Sequence, residues 1–190
     1  MIIFARFPEL GKVKTRLAAT TSNEFALEFY KKCLENLLTE MQKLPRDIVI
    51  SIYCTEKVSE MKELYGDRFQ YFLQCEGDLG VRMHHAFKQQ LEHSNKAIIV
   101  GSDIPSLQVK HLQQAIDSLD ICESVIGETF DGGYYLLGLK KADPTLFHSM
   151  PWSTDKVSSI TKKRMSESSL KFSELEVLRD VDTEEDLKQL

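Results

Sequence analysis

The chain has 190 residues, of which 42% are hydrophobic and 28% charged, and its formal net charge is −5. This length predicts a single domain over residues 1–190, with a core large enough to need no disulfide or structural metal. The acidic balance argues against a nucleic-acid partner, and the four scattered cysteines, with no CxxC pair, argue against a zinc site. No apolar run resembles a membrane span or a signal peptide, so we expect a cytoplasmic protein.

Strand and helix patterns alternate along the chain. The hydrophobic periodicity predicts, in chain order, a strand at 1–4, a helix at 21–44, a strand at 48–54, a helix at 58–65, a strand at 69–73, a helix at 79–91, a strand at 97–100, a helix at 109–119, strands at 124–127 and 134–139, a helix at 156–166, a strand at 175–178 and a short helix capped by Thr183. Thr21 and Glu24 fit a capping box for the long first helix. The alternation predicts a three-layer α/β/α sandwich around a mostly parallel sheet.

A basic loop follows the first predicted strand. It carries Arg6, Lys12, Lys14 and Arg16 around Gly11. Arginine forks and lysine ammonium groups match phosphate oxygens, and a glycine lets backbone amides approach them. The loop therefore predicts a phosphate-binding segment, with Lys12 as a solvated bystander. The alternative is an ordinary solvated turn.

Two acidic segments also follow predicted strands. Asp103 comes after the apolar run at 97–100, and Asp180 and Asp182 come after the predicted strand at 175–178. Ligands of such sheets bind outside the carboxyl ends of the strands, so these carboxylates and the basic loop are expected to meet there. Magnesium uses one or two protein carboxylates and takes phosphate oxygens as further ligands. The alternatives are a turn or helix cap at Asp103, and a cap made by Asp182 with Thr183.

Six motifs extend this interpretation to nearly the whole chain. They are FARFPELGKVKTRL (4–17), GDLGVRMHHAF (77–87), IIVGSDIPSL (98–107), DGGYYLLGL (131–139), PWSTDKV (151–157) and DVDTEEDL (180–187). In this order they resemble a bacterial family, provisionally assigned as glycosyltransferases, that has the nucleotide-diphospho-sugar transferase (GT-A) fold and was long described only as a domain of unknown function. That family is related to the nucleotidylyltransferases of the molybdenum and deazaflavin cofactors.

The resemblance implies a role for each charged segment. Asp103 matches the carboxylate that binds Mg²⁺ or Mn²⁺ at the nucleotide diphosphate, and it would thereby act in catalysis. Asp182 matches a second metal ligand of the related nucleotidylyltransferases. Lys14 and Arg16 match the basic motif that neutralises the phosphates, with Arg6 assisting. The Lys-Thr-Arg-Leu sequence itself resembles that of the guanylyltransferase that builds the deazaflavin cofactor.

The segment Asp131-Gly132-Gly133-Tyr134 suits an acceptor site. Asp131 can accept from a sugar hydroxyl or act as a base, the glycines allow close approach of backbone, and tyrosines stack on rings. The alternative is a hairpin turn with its tyrosines in the core, which we favour for Tyr135, Leu137 and Leu139 on their shared face. Trp152 is a further candidate for the acceptor pocket.

Asp78 and Arg82 are candidates for binding the base or ribose, and the alternative is a helix N-cap with an arginine on the surface. The sequence thus predicts a metal-dependent transferase with a nucleotide-sugar donor and a small-molecule acceptor. The alternatives are transfer of a nucleoside monophosphate from GTP or CTP, and a nucleotide-binding module without catalysis. The oligomeric state stays open, with a homodimer as one alternative.

Overall fold

The computed structural model describes residues 1–190, which form one seven-stranded sheet with helices on both faces. The strands are β1 (Ile2–Ala5), β2 (Ser51–Cys54), β3 (Gln70–Leu73), β4 (Ala97–Gly101), β5 (Ser124–Glu128), β6 (Tyr134–Leu139) and β7 (Phe172–Glu174). The helices are α1 (Thr15–Thr20), α2 (Asn23–Met41), α3 (Val58–Tyr65), α4 (Leu79–Leu91), α5 (Val109–Ile121), α6 (Val157–Glu167) and α7 (Glu184–Leu187), with a 3₁₀ turn at Pro144–Leu146. None of the helices combines the length and apolarity needed to traverse a bilayer.

The strand order is β3-β2-β1-β4-β6-β5-β7. β1 pairs in parallel with β2 and β4, β2 with β3, and β5 with β7, whereas β6 runs antiparallel to both of its neighbours. The predicted mostly parallel sheet is therefore confirmed. Because only β6 is reversed, the carboxyl ends of the other strands and the start of β6 all meet at one edge of the sheet.

Each face of the sheet carries its own apolar layer. On one face, Leu34 of α2 and Leu112 of α5 belong to a buried cluster that also includes side chains of α3. On the other, Phe87 of α4 and Met165 of α6 pack with the 3₁₀ turn. Burying both faces of a sheet under helices is what a mainly parallel arrangement requires. The three-layer α/β/α architecture is thus confirmed.

Most predicted elements are found within a few residues of their expected bounds, and the exceptions have local causes. The long helix begins at Asn23, because Ser22 and not Thr21 caps it and accepts from the Phe25 N–H at 3.1 Å. The Thr21 hydroxyl is engaged at the end of α1, where it donates to the Leu17 carbonyl at 2.6 Å. The predicted capping box at Thr21 is therefore wrong.

The predicted last strand is displaced towards the N-terminus. Leu175 still donates to the Ile126 carbonyl at 2.8 Å, and Leu178 donates to that of Glu128 at 3.0 Å. From Leu175 to Leu178 this segment advances by three residues, whereas its partner advances by only two, from Ile126 to Glu128. The regular ladder therefore ends with β7 at Glu174. Beyond it, Leu178 makes only an isolated parallel bridge to Thr129.

Tyr135 departs from the face predicted for it. A register shift between Gly127 and Glu128 interrupts the pairing of β5 with β6. Tyr135 is buried as expected, but it belongs to one apolar layer whereas Leu137 and Leu139 belong to the other. Its ring lies over Gly127, where a Cβ atom would come within 2.4 Å of it. The predicted shared face is therefore wrong for Tyr135, since period-two alternation does not persist across a bulge.

Candidate nucleotide and metal site

The basic loop is anchored where it leaves β1. The Tyr30 hydroxyl accepts from the Arg6 N–H at 2.8 Å and donates to the Arg6 carbonyl at 3.0 Å, so α2 fixes the first residue of the loop. Gly11, at φ +75°, and Lys14, at φ 46°, both have left-handed backbone. The turn at Lys14 leads directly into α1 at Thr15. This geometry brings the Lys14 side chain back towards the end of the sheet.

Lys14 joins the two acidic segments. Its Nζ atom donates to Asp103 Oδ2 at 2.9 Å and to Asp182 Oδ1 at 2.8 Å, and its side chain is only 4% exposed. The carboxylates are more open, with Asp103 41% and Asp182 37% exposed. Arg16 reaches the second oxygen of Asp182 at 3.3 Å. The predicted convergence of the basic loop with both acidic segments is therefore observed.

The protonation state of Lys14 follows from these contacts. Burial by itself would lower the pKa of the ammonium, because it removes the charge from water. The charges of Asp103 and Asp182 outweigh that effect and raise the pKa above its ordinary value. Lys14 is thus a buried, charged ammonium that connects two carboxylates.

A cleft of about 510 Å³ opens above these groups. Its charged lining residues are Arg6, Lys12, Lys14, Arg16, Arg82, Asp103 and Asp182. Cations outnumber carboxylates in this lining although the whole chain is acidic. Such a local excess of positive charge attracts polyanions into the cleft.

The capping alternatives are resolved by the hydrogen bonds. The final helix is capped by Thr183, which forms a capping box with Asp186, and the N-cap of α5 is Gln108. Asp103 and Asp182 are therefore not the caps of these helices, and their carboxylates line the cleft, where they pair with Lys14. Asp78 is the N-cap of α4 and accepts from the Val81 N–H at 2.9 Å, whereas Arg82 lines the cleft.

The donor set fits a hard divalent cation. Asp103 and Asp182 already bind one cationic group between them, and their partly exposed oxygens face the cleft. No cluster of three or more potential protein ligands is present. Mg²⁺ and Mn²⁺ fit two carboxylates when water and phosphate oxygens complete the coordination sphere. The residues present thus suit a metal that is shared with a phosphate ligand.

The predicted acceptor residues do not line this cleft. Asp131 forms a local turn, in which its Oδ1 accepts from the Thr129 hydroxyl at 2.6 Å and from the Gly133 N–H at 2.9 Å. Gly132 has φ +86°, and a Cβ atom there would lie 2.2 Å from the Asp155 carbonyl oxygen. The loop is therefore shaped by close backbone contact with the segment that leads into α6.

The two aromatic candidates for the acceptor pocket lie against the core. The Tyr134 hydroxyl donates to the Met83 sulfur at 3.6 Å, and both Tyr134 and Trp152 pack against the apolar layer of α4 and α6. The Trp152 indole N–H is buried without a hydrogen-bond partner. Ser153, the next residue, is the one that reaches the cleft. Both rings therefore pack against the core, and neither lines the cleft.

The turn at Asp131 takes part in a pairing that the sequence did not indicate. Phe130 donates its N–H to the Leu178 carbonyl at 3.3 Å, which brings the segments 129–131 and 178–180 side by side. The Arg179 guanidinium stacks on the Phe130 ring, 4.5 Å from its centroid. Burial raises the pKa of Asp180 to about 6, and the nearby carboxylates of Asp131, Asp182 and Asp103 contribute to this shift.

Several uncharged residues of the cleft were also missed. They are Tyr30, Thr55, Gln74, Ser102 and Ser153. Tyr30 lies on the buried face of α2, and its hydroxyl is engaged at the site. Thr55 and Gln74 directly follow β2 and β3. Their positions at the carboxyl ends of parallel strands were the available signal.

Comparison with known proteins places the chain in a family. The family described as "Uncharacterized protein conserved in bacteria (DUF2064)" matches residues 37–154, more than half of the sequence. The chain belongs to this family. No curated protein matches the chain significantly.

Solved structures show the same fold. A protein of Desulfovibrio desulfuricans G20, described as a "putative nucleotide-diphospho-sugar transferase", is 30% identical, with a TM-score of 0.92 over 98% of this DUF2064 chain and 83% of its own. CMP:2-keto-3-deoxy-manno-octonic acid synthetase, complexed with CTP, is 10% identical with a TM-score of 0.60 over 99% and 94% of the two chains. Rv0371c of Mycobacterium tuberculosis H37Rv, in complex with manganese, is 14% identical with a TM-score of 0.58 over 100% and 95%. The nucleotide-diphospho-sugar transferase fold is thus confirmed.

Proposed function

We propose that this protein is a metal-dependent transferase that moves a nucleoside monophosphate from a nucleoside triphosphate to a small acceptor. The observation that carries this proposal is the meeting of Lys14 and Arg16 with Asp103 and Asp182 at the floor of a cleft whose lining is net positive. A triphosphate brings more negative charge than a nucleotide-sugar does. An excess of cations beyond the two carboxylates therefore favours the triphosphate.

The residues of the cleft divide into two groups by charge. The guanidinium groups of Arg6, Arg16 and Arg82 line the cleft and are proposed to hold phosphate oxygens in their planar forks. Asp103 and Asp182 would hold Mg²⁺ or Mn²⁺, which when bound neutralises charge on the phosphates and on the departing pyrophosphate. Arg82 is anchored by its Nε–H, which donates to the Gly77 carbonyl at 2.8 Å, so its terminal nitrogens remain available to a ligand.

The acceptor is proposed to bind beside the turn at Asp131. One oxygen of Asp131 accepts hydrogen bonds from Thr129 and Gly133, and the charge of its carboxylate contributes to the raised pKa of Asp180. The other oxygen is proposed to orient the acceptor hydroxyl for attack on the α-phosphate. The backbone of Gly132 and Gly133 would form the adjacent wall. Tyr134 and Trp152 would support this region from the core.

Glycosyl transfer from a nucleotide-sugar is the second candidate. It is favoured by the D. desulfuricans protein, which is similar to this chain over nearly its full length. The two reactions share the phosphate end of the site. They differ in which bond breaks and therefore in the product released.

The experiment that tests the proposal combines binding with product analysis. Thermal shift with nucleoside triphosphates and nucleotide-sugars, each with and without Mn²⁺, identifies the donor that stabilises the protein. Release of pyrophosphate from a triphosphate then supports nucleotidyl transfer, and release of a nucleoside diphosphate supports glycosyl transfer. Stabilisation without turnover across a panel of acceptors supports a non-catalytic nucleotide-binding module.

Matched variants locate the binding site. Arg16→Ala should weaken donor binding by about 1.5–3 kcal/mol, the scale of a charge-assisted hydrogen bond. Arg46→Ala is the control, because Arg46 is exposed near the amino ends of the strands, away from the cleft. Equal donor affinity of the two variants would remove the basic loop from the proposed site.

A further inference from the structure

The position expected for a metal, between Asp103 and Asp182, is taken by the ammonium group of Lys14. Lys14 Nζ lies 2.9 Å from one carboxylate and 2.8 Å from the other, and these are the only two hydrogen bonds that its ammonium makes. The two partners are 89 and 168 residues away in the sequence. The contact is therefore a property of the assembled site and not of local chain geometry.

The local charges are already balanced in this arrangement. The carboxylates of Asp103 and Asp182 face two cations, Lys14 and Arg16. A divalent cation that approached Asp103 and Asp182 would meet the buried ammonium of Lys14 at close range, where repulsion is only weakly screened. The pair should bind Mg²⁺ or Mn²⁺ poorly while Lys14 stays in place.

Lys14 is suited to leave this position. Its side chain is a flexible four-carbon stem with a compact charge, unlike the rigid fork of an arginine. It extends from a residue with left-handed backbone that lies between the turn of the basic loop and α1. The cleft it faces is also lined by Arg6 and Arg16, so the same ammonium can reach a polyphosphate bound there.

We infer that Lys14 and a divalent cation are alternative occupants of the Asp103–Asp182 pair, and that a bound polyphosphate draws Lys14 away and so admits the metal. The second half of this inference rests on the proposed function, since it requires a nucleotide in the cleft. By linkage, nucleotide and metal then raise each other's affinity by the same factor. The free protein would hold no divalent cation, and the complex would hold one.

Binding of Mn²⁺ alone tests the first half, with free Mn²⁺ measured by electron paramagnetic resonance. Lys14→Gln should bind Mn²⁺ at least about tenfold more tightly than the wild type, because one buried positive charge has been removed next to the carboxylates. Lys14→Arg keeps the charge and should match the wild type. Arg16→Gln also removes one charge, but Arg16 is 65% exposed, so a gain below about threefold is expected.

The second half is tested by adding CTP as the probe. CTP should raise the Mn²⁺ affinity of the wild type by a larger factor than that of Lys14→Gln, once Mn²⁺ bound to free CTP is subtracted. If another triphosphate stabilises the protein better in the thermal panel, that nucleotide replaces CTP. A wild type that binds Mn²⁺ alone as tightly as Lys14→Gln does, or an equal effect of nucleotide in both proteins, overturns the inference.

Two controls keep the outcome decisive. Circular dichroism tests whether Lys14→Gln is folded. If it is not, Mn²⁺ binding by the wild type, measured with and without nucleotide, still tests the inference. Tight binding of Mn²⁺ by the wild type without nucleotide overturns the inference in that case. Failure of the proposed function would appear separately, as the absence of any nucleotide effect in the thermal panel. The comparison of the variants with Mn²⁺ alone does not depend on nucleotide binding.

Discussion

Two regions at the same edge of the sheet are built in different ways. The proposed phosphate side, formed by the basic loop with Asp103 and Asp182, is held by charge, since Lys14 connects residues of the loops after β1, β4 and β7 through its ammonium group. The proposed acceptor side, the turn at 131–133, is held by backbone shape, since Gly132 lies against the Asp155 carbonyl and its own carbonyl accepts from the Ser158 N–H at 2.9 Å. Ion pairs can be exchanged for those of a ligand, whereas a close backbone contact cannot.

This difference indicates where each region tolerates change. Removing a charge on the phosphate side should alter binding more than folding. Removing a glycine on the acceptor side should alter folding first.

Gly132→Ala should be the most destabilising single change. A methyl group there would lie 2.2 Å from the Asp155 oxygen, and φ is +86°. We expect a loss of about 3 kcal/mol or more in the free energy of unfolding, from overpacking and backbone strain together. Gly11→Ala is the control, because Gly11 also has positive φ but the nearest atoms to the added methyl, those of the Asn23 side chain, are 3.9 Å away, so about 1 kcal/mol is expected. Urea denaturation measures both, and similar losses would show that steric contact is not what shapes the Asp131 turn.

Asp103→Asn should remove the stabilisation that Mn²⁺ and nucleotide give together. By mass action this is about 2.7 kcal/mol at a hundredfold excess of ligand over Kd. Without ligands, the variant should be slightly less stable than the wild type, because Lys14 would lose one of its two carboxylates. Thermal melts of the protein alone, with metal, with nucleotide and with both measure these effects. An undiminished shift with both ligands would take Asp103 out of the site.

The convergence of Asp103 and Asp182 does not leave two unbalanced negative charges. Two converging carboxylates would repel each other and would need a metal for relief. In the folded protein, Lys14 already provides that relief. The sequence contained all three residues, but nothing in it indicates which cation of a basic loop turns inward, because that depends on the left-handed backbone at Lys14 and on the position of Asp182 beyond an irregular strand end.

The fold was predictable because its signals are local and repeated. Helices such as 58–65 and 79–91, and the strand at 134–139, were found with the predicted bounds because periodicity and end signals agree there. The acceptor side was less predictable. The register shift between Gly127 and Glu128 turns Tyr135 to the other face, and only tertiary contact decides that the rings of Tyr134 and Trp152 pack inward.

Asp180→Asn should stabilise the protein in a pH-dependent manner. The pKa of Asp180 is raised from 3.8 to about 6 in the folded state, mainly by burial. As pH rises, the unfolded chain therefore loses this proton before the native protein does. Between pH 3.8 and about 6 the native protein binds more protons, so its stability falls as pH rises through that range. The full shift corresponds to about 3 kcal/mol, which we reduce to about 1–2 kcal/mol because the group is partly exposed to solvent.

Urea denaturation at two pH values measures this effect. Asp180→Asn should gain about 1–2 kcal/mol at pH 7.5 and nothing at pH 3.5, where the native carboxyl is already protonated. Asp47→Asn, at an exposed position after α2, is the control and should show no such difference between the two pH values. A gain of equal size at both pH values would attribute the effect of Asp180→Asn to something other than charge.

The smallest effect is expected from the stacked pair on the acceptor side. The Arg179 guanidinium lies 4.5 Å from the centroid of the Phe130 ring, but the ring is 63% exposed. Cation–π contacts at exposed sites contribute about 0.5–1 kcal/mol. A double-mutant cycle with Phe130→Leu and Arg179→Gln should therefore give a coupling energy in that range. Because the segment is held by the hydrogen bond from the Phe130 N–H to Leu178, neither change should weaken the turn at Asp131. A coupling energy well above about 1 kcal/mol would mean that side chains, and not backbone alone, fix the acceptor side.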